Sequence, residues 1–158
     1  MTSAIEDRLA NLGVTLPKAA APVANYVPAV ITGNLLVISG QLPLGPDGKL
    51  ADRHKGKLGA GVSEDDGKEA ARFCAINLLA QAKAALGGDL SRLKRCVRLG
   101  GFINASPTYA ALAPIMNGAS DLMVEAMGEG GRHARSTIGV AELPLDCAVE
   151  VEAMFEVA

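Results

Sequence analysis

The residues most able to do chemistry lie close together near the carboxyl terminus, in "GRHARSTIGVAELPLDCAVEVEA", residues 131–153. Arg132, His133 and Arg135 come first, and Glu150 and Glu152 follow inside an otherwise apolar strand pattern. A guanidinium is a planar two-pronged donor that fits a carboxylate, and a carboxylate or imidazole of suitable pKa moves protons. The same residue types also pair with one another simply to hold an assembly together, and that reading stays open for Arg135 with Glu150 or Glu152. Glu152 reads as structural. His133 has no serine or cysteine nucleophile in a recognisable elbow around it, and the one other histidine, His54, does not make up a metal site. The glycines of "LGGD" and "LGG" read as a helix stop and a strand bend, because neither has the strand-turn-helix context of a phosphate loop.

Composition narrows the classes of function. Fifteen Lys+Arg against seventeen Asp+Glu give a net charge of −2, and the basic residues are scattered apart from "RLKRCVR", Arg92 to Arg98. With two tyrosines, three phenylalanines and no tryptophan, the chain has little to offer RNA in charge or stacking. Cys74, Cys96 and Cys147 are an odd number without C-x-x-C spacing, each in an apolar run, so they read as small buried hydrophobes in a reducing cytoplasm. The start "MTSAIEDRLANLG" is acidic where a signal peptide is basic, and no apolar run approaches ~18 residues. A soluble, unprocessed protein without a membrane partner is expected.

The elements that position these residues belong to one domain. Ser3 and Glu6 flank the start of a short amphipathic helix with Ile5, Leu9 and Leu12, closed by Gly13, which reads as a surface addition. With the connector "LPKAAAPVANY" it forms an extension over residues 1–25, and the main domain spans 26–158. "VPAVITG" and "LLVISGQLPL" form a hairpin at Gly33-Asn34, the second strand being apolar on both faces and therefore central. Leu50 to Gly61 is Gly-rich and suits a weak edge strand. The first long helix is capped by Ser63, carries Glu64, Asp65 and Asp66 in its first turn and stops at Gly87-Gly88, with Ala70, Phe73, Asn77, Ala80 and Ala84 on one face. "RLKRCVRLGGFIN" suits a strand with one wet face. A helix then starts at Ser106-Pro107 and is broken by Pro114 and "NGAS", with a last helical turn over Asp121 to Met127. Two strands around "ELPLD" finish the order β-β-(β)-α-β-α-β-β.

Alternation in "VEVEAMFEV" turns Val149, Val151, Ala153, Phe155 and Val157 to one side and Glu150, Glu152, Met154 and Glu156 to the other. The valine side packs on the helices. In "RSTIGVA" the same period sets Arg135, Thr137 and Gly139 against Ser136, Ile138 and Val140. One sheet face is thus charged yet partly apolar, and no segment of the chain is left to cover it, so the expected cover is another subunit.

"ARSTIGVAELP" followed by "VEVEA" resembles the carboxy-terminal signature of the RidA/YjgF family, also labelled L-PSP endoribonuclease-like. "ISGQLPL" is similar to its Ser-Gly-Gln-hydrophobe-Pro element, and Asn77 falls where members carry an asparagine in the first helix. The resemblance covers roughly residues 26 to 157, and the extra helix with "NGASDLMVEAMGEGGRHAR" resembles a longer bacterial branch. It implies an α+β, chorismate-mutase-like fold: a mixed β-sheet with helices packed on one face, assembled as a homotrimer with three clefts between subunits.

The activity implied is hydrolysis of reactive 2-imino or enamino acids to a 2-keto acid and ammonia, with no cofactor and no metal. On the resemblance, Arg135 clamps the substrate carboxylate and Glu150 is the general acid/base. Tyr26, Ser39, Gly40 and Asn104 match cleft-lining positions, and Thr137 stands where the family often has cysteine, a small polar group without a thiol. His133 reads as cleft-shaping or structural. A non-catalytic trimer that binds a small carboxylate metabolite is the second reading, and an endoribonuclease is a third and weaker one.

Overall fold

Leu36 and Ile38 on one strand, and Val149, Val151, Ala153 and Phe155 on another, alternate with half-exposed or exposed neighbours. Such a period of two requires a sheet with one buried side. The computed structural model describes residues 2–158. Its five-stranded sheet has the order β1-β2-β7-β5-β6, built from β1 (Ala29–Thr32), β2 (Leu35–Gln41), β5 (Leu93–Asn104), β6 (Ala134–Val140) and β7 (Val149–Val157). Only β5 and β6 run parallel. The helix between them supplies the crossover that a parallel pair needs. The α+β architecture is therefore as expected: a mixed sheet with the two long helices on one side.

The segment after β2 does not join this sheet. β3 (Lys57–Leu58) and β4 (Gly61–Val62) form a separate two-stranded parallel ribbon, because glycines at 56, 59 and 61, all at positive φ, bend the chain too often for a longer strand.

Helix α2 (Glu64–Ala85) begins at the expected cap, where the Ser63 side chain accepts the Asp66 N–H. Its buried stripe is wider than the expected face: Ala71, Cys74, Leu78 and Ala82 are fully buried, and Ala84 is exposed. The sheet lies on one flank of α2 and α3 on another, so a single narrow face does not suffice.

Helix α3 is one continuous helix, Leu112–Met127, rather than two pieces. Pro114 sits in its first turn, where a backbone N–H has no partner to lose. Ser106 caps nothing helical; residues 106–111 are turn and coil. Gly118 stays inside the helix because α2 crosses there, and a methyl group on it would collide with the Lys68 carbonyl.

Helix α1 (Ala4–Asn11) has the expected capping box between Ser3 and Glu6. It is packed rather than appended: Ile5 and Leu9 join the main core, and Leu9 is 2% exposed. Glu6 bonds Lys83 of α2 at 2.7 Å, which holds its carboxyl down at about 2. After β6 the turn Leu143 to Cys147 places Leu145 and Asp146 both in the left-handed region, with φ of 57° and 56°.

Candidate active site

Glu150 alternates with the buried Val149 and Val151 and therefore lies on the side of β7 away from the helices. Its carboxylate lies across Gly40 of β2, where a methyl group would collide with Glu150 Oε1. Glu152 lies across Gly100 of β5 in the same way, 2.7 Å from the position of a methyl carbon. Each acid thus fills space that a glycine leaves open. Among the described residues Glu150 has no salt-bridge partner, and desolvation, with a smaller contribution from the Glu152 charge, raises its pKa.

Ser39 and Tyr26 border the same end of β2. Ser39 donates from Oγ to the Val27 carbonyl at 3.0 Å and from its backbone N–H to Pro28, which ties the incoming connector to the strand. Tyr26 is half exposed in that connector. With Gly40, Leu42, Gln81 and Leu145 it lines a groove of about 230 Å³.

Arg135 is on the opposite side of the sheet. It pairs with Leu99 in the β5–β6 register, and Leu99 points into the core. At the β6 edge its guanidinium reaches α3, where Nη1 donates to Asn117 Oδ1 at 2.8 Å and to Ser120 Oγ at 3.0 Å, and Nη2 donates to the Ala113 carbonyl at 3.2 Å. Arginine has five N–H donors, so Nε–H and one Nη2–H are left over on adjacent nitrogens. Thr137 follows on the same side, and its hydroxyl is buried without a partner. Within one chain, then, Arg135 pairs with neither Glu150 nor Glu152. The sheet separates them.

A scan of family models matches residues 6–157 to one described as "YjgF/chorismate_mutase-like, putative endoribonuclease". The chain belongs to this YjgF family. It is 48% identical over 149 residues to Protein TCP17 of Trypanosoma cruzi, a match that covers 94% of this chain and 91% of that protein. A crystal structure of a protein of unknown function from Agrobacterium tumefaciens superposes with a TM-score of 0.90 at 46% identity, covering 98% of this chain and 93% of that one. Another, described as a "putative endoribonuclease" from Shewanella oneidensis, gives 0.92 at 37% identity and covers 99% and 100%.

The remaining family positions are not all free to meet a ligand. Asn104 is fully buried: its amide nitrogen donates to Asp146 Oδ1 at 3.1 Å and to the Cys147 carbonyl at 3.2 Å, and its oxygen accepts from Lys57 Nζ at 2.8 Å. Lys57 also donates to the Ala141 carbonyl, so this group fastens the turn after β6. Both amide hydrogens of Asn104 are thus spent within the chain. Asn77 likewise serves a loop, donating to the Leu42 and Leu44 carbonyls.

Sequence reasoning missed Asn117 and Ser120, the α3 partners of Arg135. Their i, i+3 spacing was the available signal, but it was hidden by the expectation that "NGAS" breaks the helix. His54 is buried, 2.8 Å from Glu69 with its ring tilted at 58° against Phe73, and no group of three or more metal-ligating side chains occurs among the described residues. No described helix is long and apolar enough to cross a membrane. All three cysteines are buried, and burial pushes the Cys96 and Cys147 thiols up to about 12, far from reactive thiolates.

Proposed function

We propose that the protein is a hydrolytic deaminase of reactive 2-imino and enamino acids, acting without a cofactor in clefts between the subunits of a homotrimer. The observation that carries this reading is Glu150: a half-buried carboxyl with a raised pKa, without a salt-bridge partner among the described residues, lying across Gly40, which with Tyr26 lines the groove at the end of β2. A carboxyl tuned toward neutrality is suited to take and return a proton. The resemblance of the segments around Arg135 and Glu150 to the RidA/YjgF signature adds weight, since the chain belongs to that family. Because Arg135 and Glu150 lie on opposite sides of one sheet, the reading takes Arg135 from one protomer and Glu150 from its neighbour.

In the reaction, the two free donors of Arg135 hold the substrate carboxylate. An enamine first takes a proton at its β-carbon and becomes the iminium. Glu150 accepts a proton from water as the water oxygen bonds to the iminium carbon, giving a neutral carbinolamine. Glu150 then returns this proton to the nitrogen, the C–N bond breaks, and the hydroxyl proton leaves with the ammonia as ammonium while the keto acid remains. One water is consumed for each ammonia released.

The test generates 2-aminoacrylate or 2-aminocrotonate in place and follows keto acid above the spontaneous rate. Glu150→Gln is expected to lose about 10²–10⁴-fold in turnover while still binding a keto acid. Wild-type acceleration that survives this substitution rejects the assignment. Binding dependent on Arg135 with no acceleration at all moves the protein to the second reading, a carboxylate-binding module, which the free Arg135 donors also favour. Endoribonuclease action, though part of the family's description, finds little support in a chain of net charge −2 without tryptophan.

A further inference from the structure

Arg135 is held by more than its three direct partners on α3, Ala113, Asn117 and Ser120. His133, two residues earlier, sets its Nδ1 2.6 Å from the Gly131 carbonyl and its Nε2 2.8 Å from Ser120 Oγ. A carbonyl can only accept, so Nδ1 carries a proton, and in the neutral ring Nε2 is left as an acceptor. Ser120 must then donate its hydroxyl hydrogen to Nε2, which turns its oxygen lone pairs toward Arg135 Nη1 at 3.0 Å. The chain of bonds has one direction: Arg135 N–H to Ser120, Ser120 O–H to His133, and His133 N–H to Gly131.

The far end is fixed. Gly131 is buried where the chain after α3 folds back, so close to that helix that a methyl group would collide with the Met123 carbonyl. Its carbonyl is therefore a rigid post rather than a mobile loop oxygen. The near end is the guanidinium whose free Nε–H and Nη2–H the proposed reaction uses.

We propose that Ser120 and His133 are positioning residues for Arg135, orienting its two unspent donors toward the ligand carboxylate through a hydrogen-bond chain of fixed polarity. This inference rests on the reading of Arg135 as the ligand clamp.

Two measurements on the intact protein test it. The chain has two histidines, so long-range ¹H–¹⁵N spectra of the wild type, assigned against His133→Phe, report the His133 tautomer directly. The expected form has hydrogen on Nδ1; a neutral ring with hydrogen on Nε2 overturns the proposal. Calorimetry with 2-ketobutyrate is the second measurement. Ser120→Ala and His133→Phe are each expected to weaken binding about three- to tenfold, the size of one lost hydrogen bond, while Ser120→Thr stays near wild type. In the deamination assay the same two variants raise KM more than they lower kcat.

Ser120→Ala and His133→Phe that bind as wild type, alongside an Arg135→Lys that binds weakly, overturn this inference and leave the clamp standing. Ser120→Thr as impaired as Ser120→Ala also overturns it, because the hydroxyl is then not what matters. No binding by the wild type, or an Arg135→Lys that binds as well, overturns the clamp and this inference with it.

Discussion

On the covered side of the sheet Val149, Val151 and Phe155 are fully buried against the helices, and the three free cysteines are sealed from solvent. On the open side the same strand holds Glu150, Glu152 and Met154, and the edge strands β6 and β1 expose Ile138 at 49% and Val30 at 50%. The covered side turns apolar area into stability and is chemically inert. The open side is costly in an isolated chain: apolar groups meet water, and a half-buried acid is raised by desolvation and by a second acid nearby. Such a surface makes physical sense when something else covers it and a ligand uses its acid.

The largest expected effect breaks this comparison at the open side. Ile138→Arg, opposite Phe102 in the β5–β6 register, is expected to convert the proposed trimer to folded monomers, read as a threefold drop in mass by light scattering. A wild type that is already monomeric at micromolar concentration removes the argument for a cover. Next comes the covered side. Leu78→Ala, at a site with no exposure, is expected to cost about 2–5 kcal/mol in urea unfolding. An effect below about 1 kcal/mol shows that the core is looser than the burial implies.

A smaller effect sharpens the role of Glu150. Its folded pKa lies above the ordinary value of 4.5, so between the two the native state binds more protons than the unfolded one. Stability then falls as pH rises through that window. Glu150→Gln removes the loss: its Tm is expected to match wild type near pH 4 and exceed it by about 2 °C or more near pH 8. A Tm gain that does not depend on pH rules out the charge as its cause.

The smallest effect concerns α1. Glu6→Gln removes a bond to Lys83 at the protein surface and is expected to cost about 0.5–1 kcal/mol at neutral pH. The Glu6 carboxyl sits below its ordinary value, so this difference is present above pH 4.5 and fades as pH falls toward 2. Leu9→Ala, by contrast, is expected to cost about 2 kcal/mol or more, because that side chain is in the core.

Much of this was legible in the residues. Alternation in β7 separated its valines from its glutamates, and Ser63 and Gly87-Gly88 marked the ends of α2. What alternation cannot supply is the phase between two strands. It grouped Arg135 with Thr137 and Gly139, but only the β5–β6 register reveals that this group faces the helices while Glu150 faces away. The continuity of α3 was hidden for a related reason. Pro114 and Gly118 are breakers by local propensity, and their tolerance depends on a first-turn position and on a crossing with Lys68 of α2, both tertiary facts. The full burial of Asn104 was equally unreadable, since Lys57 and Asp146 meet it from far along the chain.

Gly40 has a consequence for how this protein can change over generations. Its missing side chain is the space in which the Glu150 carboxylate rests, so what one position tolerates depends on the other, although they lie 110 positions apart in the sequence. Alanine at 40 pushes the carboxylate out of this space. Aspartate at 150 removes the contact with Oε1, yet Cγ, 3.1 Å from the position of the alanine methyl carbon, must still give way by a few tenths of an ångström. Aspartate first and alanine second is therefore the gentler order, and glutamate at 150 fits again only where glycine returns at 40.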